Sequence, residues 1–220
     1  MSEVPDGKCK LVLTSPSHPS SGELSDTSAY QKYLSDFERT LVQSHRKLVS
    51  DGYLVVVVTD NYHGGKLVIR HQMFCDLILK VGFNIFDMKI WSRGDFVELY
   101  RPSFSYIIFS SKSKTKKLED IKKMHEKPFG YGVWKLESDY SAWKKYSAFN
   151  PELARRVILA LSEEGDTVID PYMGTGTSVI IADKLGRHGF GYEINTGLKS
   201  VFDERKKEID PGSLESFVQN

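Results

Sequence analysis

The feature that most constrains the fold is the stretch VIDPYMGTGTSVIIA at residues 168–182, where an apolar strand passes through a glycine turn into an apolar helix. Residues 166–170 predict the strand, and the helix is predicted to start near Thr177. The turn Gly174-Thr175-Gly176 lets the backbone approach a ligand closely, and the helix start offers unpaired N–H groups to an anionic group. Such a turn can hold a phosphate or a nucleoside cofactor, or it can serve packing alone.

The spacing of this turn excludes two common phosphate sites. The pattern G-x-G-x-x-G would place a third glycine where Val179 stands, and a P-loop requires a lysine that the turn does not contain. One helix later, the predicted strand GFGYEI places Glu193 at its end, where a carboxylate can bind both hydroxyls of a ribose. Taken alone, Glu193 would be a solvated loop acid. Asp170 could face the ammonium or main chain of a cofactor that carries an amino acid.

Apolar runs of strand length alternate with segments of helical period, which predicts an α/β fold with a mainly parallel sheet. The predicted strands are 11–15, 53–58, 83–91, 105–111, 166–170 and 189–194. A first helix has an apolar stripe from Tyr30 to Leu48 and is expected to end at Gly52. Further helices are predicted over 65–82 and 151–165. Residues 96–112 predict an antiparallel hairpin that turns at 101–103.

Composition narrows the class of protein. The formal net charge of +1 over 220 residues argues against a uniformly basic nucleic-acid coat, although it permits a local basic face. Cys9 and Cys75 are too few for a disulfide framework or a metal cluster. The chain has no apolar run long enough to span a membrane and no secretion signal at its start. These features predict a cytoplasmic protein without a membrane partner.

A second unusual stretch, KLVLTSPSHPSSG at residues 10–22, runs from a strand into two prolines. The overlapping stretch VPDGKCKLVLTSPSHP at 4–19 and FNPELARRVILALSEEGDTVIDPYMGTGTSVIIADKLGRHGFGYEI at 149–194 resemble the N4-cytosine/N6-adenine amino-methyltransferases of the permuted β class. In that family the catalytic half precedes the half that binds S-adenosylmethionine (SAM). The resemblance implies a Rossmann-like SAM-dependent methyltransferase fold with circularly permuted motif order. It implies one domain with a catalytic half (1–111), an insertion or substrate-facing segment (112–147), a cofactor half (148–200) and a tail (201–220).

The resemblance also implies roles for individual residues. The cofactor SAM would be contacted at its methionine part by Phe149, Asn150 and Pro151, and its ribose would be held by Glu193. The residues that would wrap the cofactor are Asp170, Pro171, Tyr172, Gly174, Thr175, Gly176 and Thr177. The catalytic motif would be Ser15, Pro16, Ser17 and His18. A serine in the first position of this motif is associated in the family with cytosine N4 rather than adenine N6.

The chemistry of this reaction explains the residue types of the motif. An exocyclic amino nitrogen is a poor nucleophile because its lone pair is delocalised into the ring, so fixed acceptors around its hydrogens favour attack. Ser15 Oγ and the Pro16 carbonyl would be these acceptors, since proline fixes φ. His18, in place of the usual larger aromatic ring, would stack on a base that has left its helix. Ser17 replaces a second proline. The alternative is that 14–20 is only a turn after a strand.

Two other groups of residues are candidates for contact with the substrate. Asp60 and Tyr62 follow the strand expected beside the catalytic one and would line the base pocket; one His and one Asp in DNYHGG make no metal ligand set. In the irregular stretch 112–147, basic and aromatic residues could bind phosphates and stack on bases, or could form only a solvated face. This second group contains Lys112, Lys114, Lys116, Lys117 and Trp134.

The sequence thus predicts a SAM-dependent methyltransferase that acts on an exocyclic amino group of a nucleic-acid base, first of all cytosine N4 in DNA. One alternative is cytosine N4 methylation of a structured RNA such as ribosomal RNA, recognised by its shape. A further alternative is a catalytically weak SAM-binding protein that acts through a partner. The oligomeric state, including a homodimer, stays open.

Overall fold

The computed structural model describes residues 1–17, 26–94, 102–136 and 150–208. The strands in these ranges are β1 (Cys9–Thr14), β2 (Leu48–Val58), β3 (Asn61–His63), β4 (Lys66–Val68), β5 (Asn84–Ser92), β6 (Phe104–Ser111), β7 (Val133–Lys135), β8 (Thr167–Asp170) and β9 (His188–Gly191). The α-helices are α1 (Thr27–Lys47), α2 (Arg70–Val81), α3 (Pro151–Leu161), α4 (Thr177–Lys184) and α5 (Lys199–Glu208).

The described strands form one large sheet in the order β7-β5-β6-β2-β1-β8-β9, with β3 and β4 as a separate hairpin. The strands β2, β1, β8 and β9 are parallel to one another, and β7 is parallel to β5. Only β6 among these seven runs antiparallel to its neighbours. The predicted α/β class with a mainly parallel sheet is therefore confirmed.

The antiparallel pairing differs in detail from the predicted hairpin over 96–112. Strand β6 pairs along its length with β5 on one side and with β2 on the other. Residues 95–101, which would form the first arm of the predicted hairpin, lie outside the described residues. The second arm was predicted correctly, but its partners come from segments before residue 93.

The boundary between α1 and β2 was predicted wrongly. Asp26 caps the start of α1, and its side chain accepts hydrogen bonds from the backbone N–H of Ser28 at 2.8 Å and of Ala29 at 3.2 Å. The helix ends at Lys47 rather than at Gly52. Gly52 lies inside β2, because strand pairing begins at residue 48 opposite β1. Tertiary pairing overrides the usual role of glycine as a helix stop.

The second predicted helix, 65–82, is shorter in the structure. Its first residues form β4, which pairs with β3 across a turn in which Gly64 and Gly65 have positive φ. The helix α2 then starts at Arg70, and Gly82 ends it in the left-handed conformation. Similarly, the third helix stops at Leu161, a few residues before Gly165, which was expected just past its end.

The hydrophobic core has two halves, one on each face of the sheet. Along β1, Leu11 and Leu13 point to the face covered by α3 and α4, whereas Val12 points to the face covered by α1 and α2. This alternation is the period of two expected for a strand buried on both faces. None of the helices within the described ranges has the length and apolar character needed to cross a lipid bilayer.

Candidate active site

The candidate site lies where the order of the parallel strands reverses. From β1 the chain passes through α1 to β2 on one side, whereas from β8 it passes through α4 to β9 on the other side. β1 and β8 are adjacent and parallel. Ligands of open α/β sheets bind outside the carboxyl ends of the strands at such a reversal. The crevice beyond Thr14 and Asp170, the last residues of these two strands, is therefore the candidate active site.

Asp170 joins the two strands at this crevice. Its Oδ1 accepts hydrogen bonds from Thr14 Oγ1 at 2.7 Å and from the backbone N–H of Tyr172 at 3.0 Å, and its Oδ2 accepts one from Ser178 Oγ. The side chain is buried, and this burial raises the pKa of Asp170 to about 6, although the three hydrogen bonds act in the opposite direction. Asp170 thus fixes the end of β8 against both β1 and α4. Thr14, which provides the link to β1, was not predicted.

The glycine turn contains two glycines with different surroundings. Gly174 and Gly176 both have left-handed backbones, with φ of 52° and 83°. A Cβ on Gly174 would meet no atom of the described residues within 4 Å, whereas a Cβ on Gly176 would lie 2.3 Å from the ring of Phe202 on α5. Positive φ favours glycine at both positions, and at 176 the ring of Phe202 also leaves no space for a Cβ. The backbone of Gly174 is open on one side, and this side can face a ligand.

A side chain from the predicted tail, residues 201–220, holds the threonines of the glycine turn. Arg205 on α5 is buried and donates through Nη1 to Thr175 Oγ1 and, at 2.6 Å, to Thr177 Oγ1. Such a guanidinium fixes two hydroxyls at the start of α4. Arg205 was missed because it comes about thirty residues after the turn and belongs to no local motif.

Glu193 lies at the glycine turn. Its Oε2 accepts a hydrogen bond from the backbone N–H of Gly174 at 3.0 Å, and its Oε1 accepts one from the backbone N–H of Asn195 at 2.8 Å. A carboxylate offers about four lone-pair sites. Both oxygens can therefore accept further hydrogen bonds, such as those from two vicinal hydroxyls.

The remaining residues of the expected cofactor set lie at the start of α3 and directly after β8. Asn150 caps α3, and its side-chain oxygen accepts from the backbone N–H of Glu152 at 2.7 Å; Pro151 is the first helical residue. Pro171 is half-buried at the start of the turn. Tyr172 reaches α1, where its hydroxyl lies 3.0 Å from Thr40 Oγ1. Phe149 lies outside the described residues.

The expected catalytic motif follows β1 directly. Ser15 is half-buried, Pro16 is buried and Ser17 is exposed, and all three have irregular backbone structure. Because β1 and β8 are neighbours, these residues leave the sheet at the same edge as the glycine turn. His18 lies outside the described residues.

Asp60 and Tyr62 follow β2, the strand beside β1, as predicted. Asp60 is buried and accepts two hydrogen bonds from His71, one from its backbone N–H at 3.0 Å and one from its ring Nδ1 at 2.7 Å. The His71 ring in turn stacks on Tyr106, with 3.9 Å between ring centroids. Tyr62 is exposed on β3. The structure thus adds His71 and Tyr106 to this side of the crevice.

The predicted lysines lie at the opposite edge of the sheet. Lys112, Lys114, Lys116 and Lys117 follow β6, whose antiparallel direction brings the chain back to where β2 and β5 begin. There Lys112 Nζ donates to the carbonyl of Leu48 at 2.8 Å. The part of β2 that pairs regularly with β6, from Tyr53 to Val58, spans about 17 Å at the usual rise per residue. The structure therefore places these four lysines at the edge of the sheet opposite the crevice, and their contact with the substrate stays a prediction.

Trp134 is also placed differently from the prediction. It is fully buried in β7, where its ring packs edge-on against Phe109 at 6.1 Å and lies under the guanidinium of Arg156 at 5.5 Å. A side chain in this position belongs to the core, so it has no face available for stacking on a base.

An open glycine turn, a carboxylate beside it and a Ser-Pro loop at the same edge of the sheet are consistent with the family suggested by the sequence. The family model for DNA methylases of the N6/N4 type matches residues 9–204. The chain belongs to this DNA methylase family. The resemblance inferred from the sequence is confirmed.

Individual relatives match over most of the chain. The orphan methyltransferase M.BamHII of Bacillus amyloliquefaciens is 27% identical over 243 aligned residues, which cover 91% of this chain and 90% of that protein. A Thermus thermophilus protein described as a putative DNA modification methylase is 25% identical, with a TM-score of 0.77 over 96% of this chain and 91% of that chain. Its structure has also been determined in complex with SAM.

The fold is shared with a more distant enzyme as well. The PvuII DNA methyltransferase, described as cytosine-N4-specific, has a TM-score of 0.77 at 19% identity, over 99% of this chain and 86% of that chain. At this identity the likeness shows the fold alone.

Proposed function

We propose that this chain, a SAM-dependent DNA methyltransferase, transfers a methyl group to the N4 amino nitrogen of cytosine. The observation that carries methyl transfer at this site is that β1 and β8 are adjacent and parallel, with their ends joined by the hydrogen bond between Thr14 and Asp170. The Ser15–Ser17 loop and the glycine turn therefore leave the sheet at one edge. Direct transfer requires that the group holding the target amine and the group holding the methyl donor lie in one site.

The cofactor is SAM, as expected from the sequence. The residues at the turn fit a ligand that carries an amino acid and a ribose: Gly174 is open on one side, α4 presents its N-terminus, and both oxygens of Glu193 can accept further hydrogen bonds. We infer that Glu193 holds the ribose hydroxyls and that 170–177 and the start of α3 surround the rest. When bound, SAM supplies a methyl group on a positively charged sulfur.

The catalytic half would prepare the amine. Ser15 Oγ and the Pro16 carbonyl would accept hydrogen bonds from the two amino hydrogens, and this would favour a pyramidal nitrogen whose lone pair is free to attack. Pro16 is buried and its ring fixes φ, so rotation about ψ is the one backbone freedom left to its carbonyl. Asp60 and Tyr62 would line the pocket for a base turned out of the duplex.

Serine at position 15 supports cytosine N4 over adenine N6. This support rests on the family association between serine in the first motif position and cytosine, and chemistry alone gives no preference, since both bases present an exocyclic amine. The identity of the base is therefore what the experiment must decide.

The test is methyl transfer from labelled SAM to unmethylated duplex DNA and, separately, to total RNA, followed by identification of the modified nucleoside by mass spectrometry. N4-methylcytosine in DNA is the expected product. N6-methyladenine would refute the choice of base, and labelling of RNA alone would favour the RNA alternative. SAM binding without any transfer would favour a SAM-binding partner protein.

Ser15→Ala tests the catalytic assignment in the same assay. The substitution should lower kcat by about ten- to a thousandfold, the range for loss of one preorganised hydrogen-bonding group. SAM affinity, measured by isothermal titration, should hardly change, because Ser15 would contact the target amine rather than the cofactor. A variant with full activity would show that Ser15 has no such role.

A further inference from the structure

Two side chains from different helices converge on the carbonyl oxygen of Ser17. Arg70 on α2 donates to it through Nη2 at 3.2 Å, and Tyr33 on α1 donates to it through its hydroxyl at 3.0 Å. Ser17 is the position at which the resembled motif carries its second proline. The contacts thus fall on the residue where this chain departs from that pattern.

Arg70 links two loops at the carboxyl edge of the sheet. It is 1% exposed, and besides Ser17 its guanidinium donates through Nη1 to the carbonyl of Thr59 at 3.2 Å. Ser17 follows β1 and Thr59 follows β2, so one side chain ties the ends of both strands. The guanidinium also lies over the ring of Phe74, 5.2 Å from its centroid, which limits its movement.

Tyr33 completes the arrangement. Its hydroxyl oxygen accepts a hydrogen bond from Arg70 Nη2, and the hydroxyl donates its own hydrogen bond to the Ser17 carbonyl. The Tyr33 ring is stacked between Tyr30 at 6.0 Å and Phe74 at 6.5 Å. Arg70, Tyr33 and the Ser17 carbonyl therefore form a closed triangle of hydrogen bonds with a rigid aromatic support.

A serine at position 17 is free to rotate about φ, whereas a proline would hold φ near −65°. A peptide carbonyl that accepts two hydrogen bonds from fixed donors loses much of this freedom. We propose that Arg70 and Tyr33 are positioning residues for the Ser15–Ser17 loop and replace the rigidity that the second proline gives. The proposal rests on the proposed function, because the loop matters only if Ser15 and Pro16 hold the target amine.

The decisive variant is Tyr33→Phe, which removes one hydroxyl and keeps the aromatic stack. Loss of one hydrogen bond to the loop should lower kcat by about threefold to tenfold. The Kd for SAM and the KM for DNA should stay within about twofold, because neither ligand touches Tyr33 in this scheme. Tyr30→Phe is the matched control: Tyr30 lies one turn earlier on the same helix, but its hydroxyl donates to Met73 Sδ at 3.0 Å instead. This control should keep the wild-type kcat.

Rescue by proline separates a positioning role from a general loss of structure. Ser17→Pro keeps the carbonyl and restores a fixed φ, so in the Tyr33→Phe background it should recover at least half of the lost kcat. Arg70→Lys, which can reach only one of the two carbonyls, should lower kcat more than Tyr33→Phe. If Arg70→Lys fails to fold, the tyrosine and proline variants still decide the question.

Hydrogen–deuterium exchange gives a readout that does not depend on activity. The backbone amides of Ser15 and Ser17 should exchange faster in Tyr33→Phe than in the wild type and in Tyr30→Phe; Pro16 has no amide proton. If the wild type proves inactive on DNA, the proposed function fails while exchange still tests the anchoring of the loop. Unchanged exchange in Tyr33→Phe, or an unchanged kcat in an active enzyme, would overturn the proposal, as would the absence of any rescue by Ser17→Pro.

Discussion

Replacing Asp170 by asparagine should change how the stability of the protein depends on pH. Asp170 is 2% exposed, and burial raises its pKa from the ordinary 3.8 to about 6 in the folded chain. Between these two values the folded state keeps a proton that the unfolded state releases. The free energy of unfolding therefore falls as the pH rises through this window.

The magnitude follows from the size of the shift. About two pKa units at 1.36 kcal/mol per unit give about 3 kcal/mol in total, of which about 2 kcal/mol is lost between pH 4.5 and pH 7. Asparagine is similar in shape and does not titrate. Its oxygen can still accept from Thr14 and from the backbone N–H of Tyr172, and its amide can donate to Ser178 Oγ.

The assay is urea denaturation of the wild type and Asp170→Asn at several pH values from 4.5 to 7.5. The quantity to follow is the difference between the free energies of unfolding of the two proteins. Other carboxylates make the free energy of unfolding rise with pH, and this contribution cancels in the difference. Asp51, for example, has a lowered pKa because of its hydrogen bond with Lys10. The wild type should lose stability relative to the variant by about 2 kcal/mol as the pH rises from 4.5 to 7. A difference that does not vary with pH would refute the reasoning.

Thr14→Val provides an independent check that the raised pKa of Asp170 causes the dependence of stability on pH. The hydrogen bond from Thr14 stabilises the charged form of Asp170 and so opposes the effect of burial on its pKa. Without that hydroxyl, the pKa of Asp170 should rise further, and the loss of stability should extend to higher pH.

The residues around the glycine turn give the remaining predictions. Glu193→Ala should weaken SAM binding about tenfold or more, as expected for loss of a charge-assisted hydrogen bond; unchanged affinity in isothermal titration would contradict its role at the ribose. Gly174→Ala and Gly176→Ala should each lower the free energy of unfolding by about 1–2 kcal/mol, because alanine is strained at positive φ. Gly176→Ala should show the larger fall in Tm, since its methyl group would also overlap the ring of Phe202. Gly174→Ala should instead show the larger loss of SAM affinity. If the two substitutions have equal effects on Tm and on SAM affinity, no ligand lies at the open side of Gly174.

The sequence predicted the six main strands well because each is an apolar run bounded by glycine or polar residues. Its errors occur where pairing decides the structure. Gly52 has the signature of a helix stop, yet it lies inside β2, in an irregular stretch between Leu48, which pairs with β1, and Tyr53, which pairs with both β1 and β6. The β3–β4 hairpin was missed, although Gly64-Gly65 is a common hairpin turn.

The position of the lysines shows a second limit of sequence reasoning. Lys112 to Lys117 come soon after a strand of the catalytic half, and nothing local reveals the direction of that strand. Because β6 is antiparallel, it carries the chain away from the crevice to the opposite edge. Trp134 shows the same limit, since an aromatic residue in a lysine-rich region can equally lie in the core.

The contacts that build the site join residues far apart in the chain, and none of them has a local signature. Thr14 meets Asp170 across 156 positions, and Arg205 reaches back to the glycine turn from α5. What makes the site predictable at all is the rule that parallel strands present their carboxyl ends at one edge. This rule does not depend on which strand comes first in the chain. The catalytic loop after β1 and the glycine turn after β8 therefore meet even though the catalytic half precedes the cofactor half, and a permuted order of motifs leaves the geometry of the crevice intact.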